Sequence, residues 1–178
     1  MNNTKGTVRH VRSLAVAGVL GAISIVLGMT PLGFIPVPTA AGSATIMHIP
    51  AVLAGLLEGP ITGGLVGLIF GLHSFIRMGS PLFADPVIAV LPRIMIGVVA
   101  HYSFRLTGSV AVAAALGTLT NTVGVLGLAV LRGYIAVPVA WGIAVTHGLP
   151  EVVVAVLLTT LVYKSLKKRE GESDASCY

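Results

Sequence analysis

Charge is what this chain has least of. Only 10% of its 178 residues are Asp, Glu, Lys or Arg, where a soluble domain carries about 25%, and that shortage excludes a water-facing globule. Cysteine is nearly absent too. Cys177 stands alone in a polar C-terminal stretch, which excludes a disulfide framework, a CxxC pair, a thiolate metal site and thiol redox chemistry. His48 and His73 are isolated, with no HxxxH or HExxH pattern, so no metal site is expected. There is no GxxxxGK[ST] loop to cradle ATP and no GxSxG nucleophile elbow. Ser74 beside His73 is the one hint of a hydrolase, and adjacent helical residues do not face one another. Neither catalysis nor a cofactor is therefore expected. The formal net charge is +5, yet the basic residues are not gathered into a stripe with interleaved aromatics, and nucleic acid is not an expected partner.

What is present is apolar length. Hydrophobic residues make up 55% of the chain and mean hydropathy is +0.97, values that describe an all-α integral membrane protein in the lipid bilayer. A spanning helix needs about 20 mainly apolar residues. Charges, prolines and glycines divide the sequence into six such segments, near 12–29, 45–57, 61–76, 85–104, 108–131 and 139–163. The second and third are short and are separated by Glu58-Gly59-Pro60, a natural stop and restart. Residues 1–163 read as a single six-helix domain, and 164–178 as a polar cytoplasmic tail expected to fray. The first apolar segment is expected to stay as a span and not to leave as a secretory signal, because Met29-Thr30-Pro31 leads into an apolar, proline-rich loop.

Basic residues set the orientation. Lys5, Arg9, Arg12, Arg105, Lys164, Lys167, Lys168 and Arg169 fall on one side of this topology, and only Arg77 and Arg132 on the other. The positive-inside rule then places both termini in the cytoplasm of a multi-pass cell-membrane protein.

Arg93 is the residue that breaks the pattern, since it lies in the middle of the apolar run from Asp85 to Tyr102. An arginine at that depth costs about 2.5–3.5 kcal/mol on insertion scales and is kept for a ligand, a buried partner or a watery cavity. Pro92 just before it removes a backbone donor and frees a carbonyl nearby. A structural ion pair with Glu151 is the alternative use of Arg93. Further along, Thr118, Thr120, Asn121 and Thr122 cluster in the fifth span, either as a binding wall or as hydrogen bonds between helices. In the sixth span His147 and Glu151 are four apart and share a helical face. Trp141, nearer the outer boundary, is a candidate wall residue or a member of an interfacial aromatic belt. The loop Thr30–Gly42 has Pro31, Pro36 and Pro38 and no charge, so it reads either as a lid over the bundle formed by Phe34 and Ile35 or as a structured connector with no ligand. Together Arg93, Asn121, Phe34, Trp141, His147 and Glu151 are the expected substrate-binding residues, lining a mixed polar and apolar pocket for a small organic molecule.

The first span carries two overlapping small-xxx-small pairs, Ala17 with Gly21 and Gly18 with Ala22, which suit close approach of another helix inside the bundle or from a partner.

Several strings match in order. His48-Ile49-Pro50, Gly59-Pro60, Gly67-Leu68-Ile69-Phe70-Gly71-Leu72 with Ser74, Leu91-Pro92-Arg93 with Gly97, and Thr120-Asn121-Thr122 with Leu126-Gly127 together resemble the S-components of energy-coupling factor (ECF) vitamin transporters, most of all the pantothenate-type branch. The resemblance implies a six-helix substrate-capture subunit that binds a vitamin or precursor near the outer face. It implies a membrane coupling subunit and two ATPases as partners, and toppling in the membrane to release cargo. By the same resemblance Arg93, Asn121 and the lid around Phe34 are binding positions, and Gly18 and Ala22 form the docking motif, with glycine where alanine is more usual. Trp141, His147 and Glu151 rest on the topology argument alone. Folate, a pyrimidine precursor, and queuosine-type and cobalamin-type cargos stay open beside pantothenate. The other reading is a stand-alone proton- or sodium-coupled secondary transporter, using Glu151 or Asp85.

Overall fold

The computed structural model describes residues 2–36, 43–77 and 80–175. Six helical rods form the bundle: α1 (Asn2–Met29), α2 (Ile49–Leu57), α3 (Pro60–Arg77), α4 (Pro86–Thr107), α5 (Val110–Leu131), and a continuous rod of α6 (Val137–Ile143), a π turn (Ala144–Gly148) and α7 (Leu149–Ala175). Five of the rods are long and apolar enough to cross a membrane. The exception is α2, whose nine residues rise only about 14 Å against the roughly 30 Å of a hydrocarbon core. Every residue from Ile49 to Leu56 is buried, because α2 sits in the middle of the bundle, packed against α1, α3, α4, α5 and α7. The outer rods do the reverse. Ile61, Leu65, Leu72 and Ile76 on α3, and Leu149, Val153, Leu157 and Leu161 on α7, are exposed at helical spacing, as lipid-facing stripes must be.

Local chemistry explains the breaks. Asp85 caps α4, its carboxylate accepting from Val87 N at 2.9 Å, and it also pairs with Arg132 beyond α5 at 3.1 Å. Gly108 takes a left-handed backbone (φ 67°) to end α4. Between α1 and α2 the chain forms a short antiparallel hairpin, β1 (Phe34–Pro36) with β2 (Ser43–Thr45), in which Phe34 pairs with Thr45. Residues 37–42 of that loop, including Pro38, and Cys177 lie outside the described residues. The polar stretch after Lys164 continues α7 as helix through Ala175. Propagating an existing helix costs far less than nucleating one, and Lys, Arg and Glu are good helix formers.

Contact between α3 and α4 is close enough to exclude side chains. A Cβ on Gly67 would lie 2.1 Å from the carbonyl oxygen of Arg93, and one on Gly97 would lie 2.4 Å from the backbone of Gly63. These glycines let two backbones touch, which fixes where α4 presents Arg93.

Candidate functional site

A cavity of about 590 Å³ opens at the end of the bundle where α1 finishes and the hairpin lies. That volume is within the range of small-molecule sites. Phe34 and Thr45 come from the hairpin, Phe70, His73, Ser74 and Arg77 from α3, and Phe83 from the turn before α4. Arg93 enters from α4, Asn121 and Thr122 from α5, His147 from the π turn and Glu151 from α7. The wall is thus aromatic and aliphatic with a few convergent polar groups.

Arg93 is 3% exposed, and its position follows from the residue before it. Pro92 has no N–H, so the carbonyl of Ile88, four residues back, has no helical donor. The Arg93 guanidinium supplies one, Nη1 donating to Ile88 O at 2.8 Å. Its cation lies 4.4 Å from the Phe83 ring centroid and 5.7 Å from that of Phe70, where the ring faces attract it. Nε is buried with no acceptor. Among the described residues no ion pair joins Arg93 to Glu151. The paired-charge alternative is absent from this geometry, and the guanidinium keeps hydrogen-bonding capacity that the protein does not use.

The polar cluster on α5 divides by face. Thr118 and Thr120 donate to carbonyls of their own helix, Ala114 O and Leu116 O, while Thr118 Oγ1 also meets His48 Nε2 at 2.9 Å. The His48 bond ties the start of α2 to α5. Asn121 turns to the cavity, and its Oδ1 is buried without a donor.

Glu151 is 5% exposed. Its Oε1 accepts from the backbone N of Thr45 at 3.1 Å and, in a very short bond, from Thr45 Oγ1. The carboxylate therefore ties the hairpin to α7. The π turn just upstream carries His147 into the same wall, and such turns recur at functional sites. Trp141 is not brought there. It is 69% exposed on α6 and takes no part in the cavity wall. Five of the six expected binding residues (Arg93, Asn121, Phe34, His147, Glu151) line the cavity. Thr45, Phe70, His73, Ser74, Arg77 and Phe83 join them unanticipated. For the α3 residues a signal existed, since His73, Ser74 and Arg77 recur at helical spacing. Thr45 and Phe83 had none, because only long-range folding places them. Among the described residues no group of three or more His, Cys, Asp or Glu is gathered as a metal site.

The two small-residue pairs on α1 point in different directions. Ala17 and Gly21 face the bundle, where a Cβ on Gly21 would lie 2.7 Å from Ile69 Cδ1. Gly18 and Ala22 face outward, and Gly18 has no neighbour within 4 Å. At the end of α1 remote from the cavity, Arg12 pairs with Glu58 at 3.0 Å and Ser13 Oγ donates to the same carboxylate at 2.9 Å.

Comparison with known proteins agrees with this architecture. Residues 12–163 match the model of the ECF transporter, substrate-specific component. The chain is 28% identical to the pantothenic acid transporter PanT of Lactococcus lactis subsp. cremoris, over 90% of this chain and 96% of that protein. It is also 28% identical to the pantothenate transporter PanT of Leuconostoc mesenteroides, over 74% of this chain and 72% of the relative. In three dimensions it superposes on the S component of a bacterial ECF transporter with a TM-score of 0.68 at 22% identity, covering 89% of this chain and 97% of the other. With a bundle of this form and a family match spanning nearly all of it, the chain belongs to the substrate-specific components of ECF transporters.

Proposed function

We propose that this chain captures pantothenate in the cavity around Arg93 and hands it on through a membrane coupling subunit driven by two ATPases. The observation that carries the cargo is Arg93 itself. A buried cation with an unused donor, set between two phenyl rings inside a cavity of small-molecule size, suits a carboxylate joined to an apolar body. The pantothenate transporters among its relatives support that choice. The substrate-binding set is Arg93, Asn121, Phe34, His147 and Glu151, with Thr45 and Phe83 beside them; catalysis has no part in this reading.

Residues 1–163 act as one membrane domain, with both termini cytoplasmic by the distribution of Lys and Arg. The cavity then opens outward and the Arg12–Glu58 end faces the cytoplasm. Gly18 and Ala22, outward-facing and unobstructed, form the docking strip for the coupling subunit, whereas Ala17 and Gly21 hold α1 to α3.

Calorimetric titration of a vitamin panel into the purified protein in detergent tests the cargo. Pantothenate binds and the other vitamins do not, and Arg93→Ala abolishes the signal in protein that still elutes as a single species. Uptake into proteoliposomes requires the coupling subunit and ATPases. Accumulation by the chain alone, driven by a proton or sodium gradient, would replace this reading with that of a secondary carrier.

A further inference from the structure

Three polar atoms of residues that line the cavity have no hydrogen-bond partner among the described residues, and they differ in what they need. Arg93 Nε needs an acceptor. Asn121 Oδ1 needs a donor. Glu151 receives both Thr45 hydrogen bonds on Oε1, so among the described residues its Oε2 has no donor either. Buried polar atoms such as the first two are nearly always paired, and the residues that carry all three line one cavity. Their order is set by the fold, because α5, which carries Asn121, packs against α4, which carries Arg93, and against α7, which carries Glu151.

We infer that Glu151 is the residue that sets specificity for the hydroxyl end of the cargo, with Asn121 as the acceptor between it and the Arg93 anchor. This rests on the cargo reading above. Pantothenate has a carboxylate at one end, an amide in the middle and hydroxyl groups at the other end. A carboxylate placed against Glu151 would meet a like charge, so only the orientation with the acid at Arg93 satisfies every group. Glu151 is preorganised for this role, since Thr45 already fixes the plane of its carboxylate through Oε1. The site thereby selects a monoanion with hydrogen-bond donors at the far end, and it rejects a molecule with an acid at each end.

Titration of three compounds into the full-length protein and into Glu151→Gln decides the matter: pantothenate, its analogue lacking the hydroxyls, and its alcohol analogue lacking the carboxylate. Unmodified protein should lose roughly 10- to 100-fold in affinity when the hydroxyls are removed, the effect of a hydrogen bond to a charged group. Glu151→Gln should bind pantothenate more weakly and respond to hydroxyl removal by less than about threefold. Both proteins should lose affinity alike for the alcohol analogue, because that end is read by Arg93. A variant that discriminates the hydroxyls as strongly as the unmodified protein overturns the role of Glu151 while leaving the cargo in place. Absence of pantothenate binding to the unmodified protein overturns the cargo reading and this inference together. Should Glu151→Gln elute aggregated, the unmodified protein still decides, for equal affinity with and without the hydroxyls overturns the inference.

Discussion

Arg93 donates to the carbonyl of Ile88 at 2.8 Å, and that carbonyl is the one that Pro92 leaves without its helical donor. A break in the backbone and a buried cation thus complete each other one turn apart on α4. The bond holds the guanidinium between Phe70 and Phe83, with no ion pair to a carboxylate among the described residues.

Replacing Pro92 separates positioning from binding. Pro92→Ala restores an N–H to compete for Ile88 O and removes a strained helical proline. The unfolding midpoint in detergent should hold or rise, while cargo affinity falls about tenfold, the equivalent of roughly 1.4 kcal/mol. A variant both stable and unimpaired would show that Arg93 is held by its ring neighbours alone.

Backbone contact between α3 and α4 gives a second test. Gly67→Ala forces a Cβ to 2.1 Å from Arg93 O, so the helices must separate, and a loss of about 2–4 kcal/mol in stability is expected. Gly142→Ala on α6 meets nothing within 4 Å and should be neutral or stabilising by up to ~1 kcal/mol. Thermal unfolding of the two variants side by side measures the contrast.

Opposite behaviour is expected from neighbouring glycines of α1. Gly18→Leu enters open space, so stability and cargo affinity should be unchanged while uptake with the ATPase module is lost. Gly21→Leu collides with Ile69 and should lower the unfolding temperature before any partner is added. Pairing a binding titration with a proteoliposome uptake assay distinguishes the two outcomes.

The Asp85–Arg132 pair ties the start of α4 to the end of α5. Asp85 is 8% exposed, caps α4 and meets Arg132 at 3.1 Å. Asp85→Asn should cost about 1–3 kcal/mol in stability, with cargo affinity and its response to pH and sodium unaltered. Loss of a proton or sodium dependence in that variant would instead make Asp85 part of an ion-driven carrier.

How much was legible in the sequence depended on how local the signal was. Arg93 announced itself by its cost in an apolar run, and Pro92 told where a free carbonyl would be. His147 and Glu151 shared a face by spacing alone and do meet at the cavity. Trp141, read as a wall residue or as a member of an interfacial belt, is 69% exposed and off the cavity wall, separated from His147 by a stretch that enters the π turn. The nine-residue α2 was read as a short span, but apolarity reports distance from water, not contact with lipid, and a fully buried helix has the same composition. Thr45 and Phe83 left no sequence trace, since each reaches the cavity from a loop that the surrounding helices place.

One consequence of that buried α2 concerns how the protein is made. Too short to be held across a bilayer and enclosed by five other helices, it gains its place from protein contacts and not from lipid. Its carbonyl at Gly55 accepts from His101 Nδ1 at 2.9 Å, and its first turn is joined through His48 to Thr118 on α5. Those partners lie 46 and 70 residues downstream, so they emerge from the ribosome only after α2 does. The contacts that bury α2 therefore cannot be complete until α4, α5 and α7 have been synthesised.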